Sequence, residues 1–243
     1  MKRKNPIVIS FHSMQAPIPK PLQLAFLSDL HCFDNRLILD RLQTLRPDGV
    51  FVGGDFMHSA QHYEEGFDFL RRSAAAYPTF CSLGNHESLY PGDIRAAVAQ
   101  TGAVLLDNAW VCFGGITLGG LSSARCRSLP SAEGCTLTPD RDWLRAFSAL
   151  PGYKLLLCHH PEYYPAYLRF LPIDLILSGH VHGGQWRLFG RGVYAPGQGF
   201  FPRYTSGLYE GRLLVGRGIG NMAPVPRINN PPEILSISLH PMK

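Results

Sequence analysis

The 243-residue chain has no apolar run approaching 18 residues, which excludes a membrane-spanning helix. No two of its six cysteines (Cys32, Cys81, Cys112, Cys126, Cys135 and Cys158) have C-x-x-C spacing. With Cys81 and Cys158 inside strand-like apolar runs, buried free thiols in a reducing compartment are expected. Repeats, linkers and low-complexity tracts are also missing. Charged residues make up only 17% of the chain against 45% hydrophobic, which argues against disorder and suffices for one large core. The basic start Met1-Lys2-Arg3-Lys4 has no apolar segment behind it, because Gln15, Pro17, Pro19, Lys20 and Pro21 interrupt it. The expectation is a cytoplasmic protein, with peripheral membrane contact left open. Residues 1–21 read as an N-terminal extension and residues 22–243 as a single domain.

Charge of one sign is short in one region. Residues 175–243 hold 7 Lys/Arg against 2 Asp/Glu, whereas residues 1–174 balance 16 against 16. A basic C-terminal quarter admits two readings, an anionic partner or a solvated face.

Short apolar runs alternate with helix-like segments over the first two thirds. Gln23–Leu27, Val50–Val52 and Thr79–Leu83 read as strands; Arg36–Leu45, Tyr63–Ala76 and Asp93–Gln100 read as helices. That order predicts an α/β layered fold with parallel pairing. Val104–Leu106, Trp110–Phe113 and Ile116–Leu121 are close together and read as antiparallel strands. Thr138 with Pro139 then predicts a helix start, running to about Leu150. Tyr153–Cys158, Leu175–Leu177 and Glu233–Leu239 complete the strands.

Polar residues gather where these strands end. Asp29 and His31 follow the first strand, Asp55 the second, and Asn85, His86 and Glu87 the third. His159 ends a fourth, and His180 and His182 follow a fifth. Strand carboxyl ends form the ligand crevice in open α/β sheets. Two divalent cations about 3.5–4 Å apart require oxygen and imidazole ligands with a carboxylate able to bridge them. Gly54, Gly84 and Gly179 each precede one of these residues, where close backbone approach is easiest without a Cβ. His160 adjoins His159 and is expected to point the other way.

The ordered series D-x-H (Asp29, His31), Gly54-Asp55, Gly84-Asn85-His86-Glu87, the lone His159 and Gly179-His180-Val181-His182 resembles the calcineurin-like metallophosphoesterases. The tail, with Gly183-Gly184-Gln185, Ala195-Pro196-Gly197, Gly207-Leu208-Tyr209, Gly216-Arg217-Gly218 and Pro231-Pro232-Glu233-Ile234, is similar to the bacterial YkuE/YaeI-like phosphodiesterase branch. The resemblance implies an α/β fold, a layered αββα sandwich of two mixed β-sheets flanked by helices. It further implies one metal held by Asp29, His31, Asp55 and His182, and a second by Asp55, Asn85, His159 and His180. Asp55 bridges them, and a hydroxide between the metals is the implied nucleophile. His86 would contact the phosphate or protonate the leaving oxygen. Manganese heads the expected ions, with Fe, Zn, Ni or Co also compatible with imidazole, carboxylate and amide donors. His58 stands where many relatives have an acidic residue, and Cys32-Phe33 replaces a small glycine; neither change removes a ligand.

In the tail, Arg187, Arg191, Arg203, Arg212, Arg217 and Arg227 alternate with Trp186, Phe189, Tyr194, Phe200, Phe201, Tyr204 and Tyr209. Either they form a rim gripping an anionic substrate with an apolar part, or they serve loop packing and solubility. Arg217 and Asn221 are the expected substrate contacts, with Arg125 and Arg127 as further candidates. The expected activity is a dinuclear metal-dependent phosphohydrolase, a phosphodiesterase or pyrophosphatase acting on a small, nucleotide-linked or lipid-linked phosphodiester. A nuclease and a non-catalytic metal-binding scaffold of the same fold are the alternatives. The neutral N-terminal two thirds weighs against nucleic acid.

Overall fold

Alternating side chains let each strand feed two different cores, and that alternation builds the molecule in layers. The computed structural model describes residues 6–123, 138–196, 198–221 and 226–242; Arg125 and Arg127 lie outside them. The first sheet contains β1 (Val8–Ala16), β2 (Leu22–Leu27), β3 (Gly49–Gly53), β4 (Thr79–Ser82) and β5 (Val104–Leu105). The second begins with the hairpin β6 (Ala109–Phe113) and β7 (Ile116–Gly120), followed by β8 (Tyr153–Leu157) and β9 (Leu175–Ser178). Two small hairpins follow: β10 (Arg187–Leu188) with β11 (Arg191–Gly192), and β12 (Tyr194–Ala195) with β13 (Gly199–Phe200). β14 (Gly207–Tyr209) and β15 (Leu213–Val215) close the second sheet, and β16 (Glu233–Pro241) returns to the first.

The sheet orders are β1-β16-β2-β3-β4-β5 and β14-β15-β9-β8-β7-β6. Both are mixed: β2 through β5 run parallel while β16 is antiparallel to β2, and β7, β8, β9 and β15 run parallel between antiparallel edges. Leu24, Phe26, Phe51 and Phe80 face Leu118, Leu155, Leu157, Leu175 and Leu177 in the core between the sheets. The intervening Ala25, Leu27, Val50 and Val52 turn outward to helices α1 (Asn35–Leu45) and α2 (Glu64–Ala76). On the opposite side Leu156, Cys158 and Ile176 meet Leu144 and Phe147 of α4 (Arg141–Ser148), while the short α3 (Ile94–Ala99) lies beside β5. This is the expected αββα sandwich.

Three local readings need correction. Val104–Leu105 joins the first sheet parallel to β4, not the antiparallel group, because α3 intervenes as a crossover. Of the three segments grouped there, β6 and β7 pair as a hairpin, turning through Gly114 and Gly115 with φ 56° and 89°. Helix α4 is capped by Asp140, whose carboxylate accepts from Trp143 N at 2.9 Å, so it starts later than Thr138 and Pro139 suggest. Residues 8–16, set apart in the sequence as an extension, contribute the edge strand β1, held by nine parallel register pairs to β16. Cys81 and Cys158 are buried and, with Cys32 and Cys112, are free thiols. Among the described residues no helix is long and apolar enough to cross a membrane.

Phe26 is fully buried between the sheets whereas Phe11 projects from the edge strand. Phe26→Ala is expected to lower the unfolding free energy by about 3–5 kcal/mol, and Phe11→Ala to change it by about 0.5 kcal/mol or less. Urea denaturation of the two variants checks the difference.

Candidate metal centre

Both sheets end at one rim, and the turns there carry the donors. Asp29, His31, Asp55, His180 and His182 all adopt positive φ, between 41° and 69°. Side chains other than glycine avoid this region, so the turns must be held by their surroundings. Asp29 N donates to Gly54 O (3.0 Å), Leu30 N to Asp55 O (2.8 Å), Gly179 N to His159 O (3.1 Å) and Gly220 N to Asp29 O (2.6 Å). Gly84 fits only because it lacks a side chain: a Cβ there would lie 2.1 Å from Asp55 Oδ1.

Asp55 is the hub. Its Oδ1 accepts from His86 N at 2.8 Å, while its Oδ2 lies 3.2 Å from His159 Nε2, 3.6 Å from His31 Nε2 and 3.9 Å from His86 Nε2. Asp29 accepts from Ser28 Oγ and from His180 N, and its Oδ1 is 3.6 Å from His182 Nε2. Among the described residues four donor sets each have their ligand atoms within 4.8 Å of one another: Asp29–His31–His182, His31–Asp55–His86, Asp55–His159–His180 and His160–Glu162–His180. Asn85 joins the same cavity, lined also by Asp55, His86, His180 and His182.

These residues suit a divalent cation. His159 Nε2, both ring nitrogens of His31 and Asn85 Oδ1 are buried without a hydrogen-bond partner, a costly arrangement that ligation relieves. His159 Nδ1 donates to Gly53 O at 2.7 Å, so loss of the Nε2 proton, which a bound cation would drive, leaves the Nε2 lone pair facing the carboxylates. Imidazole nitrogens with carboxylate and amide oxygens match divalent transition metals. Burial would raise the Asp55 carboxyl, but His159, His31 and His86 hold it well below the usual carboxylate range. Burial alone would lower His159, yet Asp55 beside it lifts the imidazole to about 10. Burial pushes His31, His180 and His182 down to about 3, with Arg227 adding to the effect at His182.

Two carboxylates have roles that the sequence does not assign, Glu87 of the third motif and Glu162. Glu87 Oε2 accepts from Gly84 N (2.6 Å) and Asp55 N (2.9 Å), and its Oε1 accepts from Met57 N (3.1 Å). Burial and then Asp55 push it up to about 8, while the three N–H donors pull the other way. The only signal was its place in the Gly84–Glu87 motif. Glu162 Oε1 lies 3.6 Å from His180 Nε2 and 3.2 Å from His160 Nδ1. His160 therefore does not point away: it is buried, and its ring centroid is 4.3 Å from that of His180. His58 belongs to no donor set among the described residues; its carbonyl instead lies 2.6 Å from His86 Nδ1 and orients that ring.

The expected substrate contacts are placed differently. Arg217 is turned away from the main cavity, because its guanidinium is paired with the buried Glu233 at 2.7 Å and its N–H reaches the same carboxylate. Asn221 Oδ1 accepts from Gln185 Nε2 at 3.0 Å and lines a smaller neighbouring cavity of about 390 Å³. Arg187, Arg212 and Arg227 donate to backbone carbonyls, those of Gly183 and Gly190, of Arg169, Leu171 and Ile173, and of Gly218 and Gly220, and Arg227 Nη2 also lies 3.1 Å from His182 Nδ1. Arg187 and Arg212 thus tie loops together, while Arg227 links its loop to the ring of His182.

Two outcomes follow from this geometry. Glu87→Ala orphans three buried N–H groups and is expected to lower stability by about 3 kcal/mol, measured by urea denaturation. The three imidazoles lowered from 6.5 to about 3 stabilise the fold fully above pH 6.5 and lose that contribution as pH falls. His159, raised to about 10, contributes fully below pH 6.5 and does not offset them in this window. The metal-stripped protein is expected to lose at least about 1.4 kcal/mol per pH unit from about pH 6 downward; an unchanged urea midpoint would contradict their burial.

The geometry agrees with relationships across the chain. A family model described as calcineurin-like phosphoesterase matches residues 22–184. Phosphodiesterase YaeI of Escherichia coli (strain K12) is 28% identical over 245 residues, covering 90% of this chain and 82% of that protein. Metallophosphoesterase Cj0846 of Campylobacter jejuni is 29% identical, and the match spans 97% of this chain but 64% of Cj0846. Metallophosphoesterase YkuE of Bacillus subtilis (strain 168) is 26% identical, covering 88% and 76%. The chain belongs to the calcineurin-like phosphoesterase family and is a metal-dependent hydrolase of phosphoric esters.

Proposed function

We propose that the protein is a dinuclear phosphodiesterase. The observation that carries this reading is Asp55 Oδ2, which lies within 4 Å of three imidazoles and belongs to two donor sets. Asp29, His31 and His182 would hold one ion, Asn85, His159 and His180 the other, with Asp55 shared. When bound, such ions neutralise phosphoryl oxygens and acidify water, which supplies a nucleophile near neutral pH. Manganese is the first ion to test.

The chain's own residues complete the chemistry. His86 Nδ1 donates to the His58 carbonyl, so the imidazolium form of the ring would present its Nε2–H to a phosphoryl oxygen or give that proton to the departing alkoxide, leaving the neutral ring. The His159 and Gly53 pairing fixes a ligand tautomer before any ion arrives. A cavity of about 650 Å³ beside the donors leaves room for a second ester group, and the relative named a phosphodiesterase supports the same choice. The nuclease alternative finds little support, since no Lys or Arg is among the described residues lining that cavity.

The test is hydrolysis of bis(p-nitrophenyl) phosphate beside p-nitrophenyl phosphate by metal-stripped protein with Mn²⁺, Zn²⁺, Ni²⁺ or Fe²⁺ restored singly. Metal-restored cleavage favouring the diester is expected. Asp55→Asn should lower occupancy of both ions, measured by elemental analysis. His86→Ala should keep both ions and lower kcat by about 10²–10⁴-fold. A monoester preference would make the protein a phosphatase, and metal binding without turnover would favour the scaffold.

A further inference from the structure

The main cavity has two walls of opposite chemistry. One is the donor wall of Asp55, Asn85, His86, His180 and His182. Facing it are Trp186, Val193, Tyr194, Pro196 and Phe200, all beyond the segment that matches the family model. The second wall therefore lies outside the segment that the family model describes.

That wall is built and held in place. Gly184 and Gly192 touch backbone to backbone, since a Cβ on Gly184 would lie 2.4 Å from Gly192 Cα. This contact joins the small hairpins directly to the turn carrying His182. Val193 N donates to Gly184 O (3.1 Å) and Trp186 O (2.8 Å), and Trp186 Nε1 donates to Pro226 O at 3.0 Å. The rings of Tyr194 and Phe200 meet edge to face with centroids 5.3 Å apart. Yet Trp186, Tyr194 and Phe200 remain 40%, 47% and 74% exposed. Large aromatics left open around one cavity mark a binding surface.

Charge narrows what binds there. Outside the donor wall the described lining residues include no acid and no base, and Arg187, Arg212, Arg217 and Arg227 of the surrounding tail are engaged by carbonyls or Glu233. One phosphate is thus provided for, at the donor wall, and none of the described residues lining the cavity is arranged for a second anion. We infer that the substrate is a phosphodiester with one extended apolar ester group, seated on Trp186, Tyr194 and Phe200 while the phosphate meets the donors. The inference rests on the phosphodiesterase reading and specifies its substrate class.

The test uses the metal-loaded full chain and a series of methyl, butyl and octyl p-nitrophenyl phosphodiesters below their micelle concentrations. From methyl to octyl, kcat/KM is expected to rise by about 10–100-fold, well under the limit of about fourfold per fully buried methylene. Tyr194→Ala and Phe200→Ala are each expected to compress that ratio to within about threefold. A phenyl and a naphthyl ester distinguish a flat aromatic group from an alkyl chain; a gain with either supports the inference. A flat series, or a nucleoside ester cleaved faster than the octyl ester, overturns it. Should no ester be hydrolysed, the phosphodiesterase reading fails by itself. Calorimetry then decides the inference: octylphosphonate must bind at least about tenfold tighter than ethylphosphonate, and equal affinities overturn it.

Discussion

Taking the Asp55 carboxylate out of water is unfavourable unless hydrogen bonds or opposite charge replace the lost solvation. Here Oδ1 is met by the His86 N–H and Oδ2 by three imidazoles, one of which is raised far enough to carry charge. Much of the fold serves this arrangement. Asp29, Asp55 and Asn85 come from the first sheet, and His159, His180 and His182 from the second, so the sheets must end at a common rim. The phenylalanine and leucine core between them sets their separation, and with it the distance between the two halves of the donor set.

Strain accompanies this convergence. Five donors sit in left-handed backbone, each at a typical cost of about 1–3 kcal/mol. Cross-links between the turns, and Glu87 beneath Gly84, Asp55 and Met57, hold the backbone there. A donor set fixed in this way loses little freedom when an ion binds, which favours tight and defined ligation.

The same economy governs charge. The basic C-terminal quarter suggests a surface for anions, but Arg187, Arg212, Arg217 and Arg227 close loops and pair Glu233. Most of their donors satisfy carbonyls at turns that no regular ladder reaches, and Arg227 also reaches the ring of His182. What remains open around the cavity is aromatic, so recognition beyond the phosphate falls to apolar contact.

By itself the sequence determined the layered fold and the rim of donors, because both depend on local order: period-two apolar runs, helices between them, and polar residues just past each strand. It also indicated the family through five short motifs in series, each spanning only a few residues. Edge strand β1 stayed hidden because its partner, β16, lies more than 200 residues away and its half-exposed faces give weak alternation. Tertiary structure alone decided where the side chains aim. Adjacent histidines could not predict that His160 meets His180 edge to face, nor Gly84–Glu87 that its last carboxylate ties three turns. Arg217 likewise reads as a substrate contact until Glu233, sixteen residues on, is folded against it. Side-chain direction depends on which distant groups share the same buried volume, and that information is set only when the two sheets close on each other.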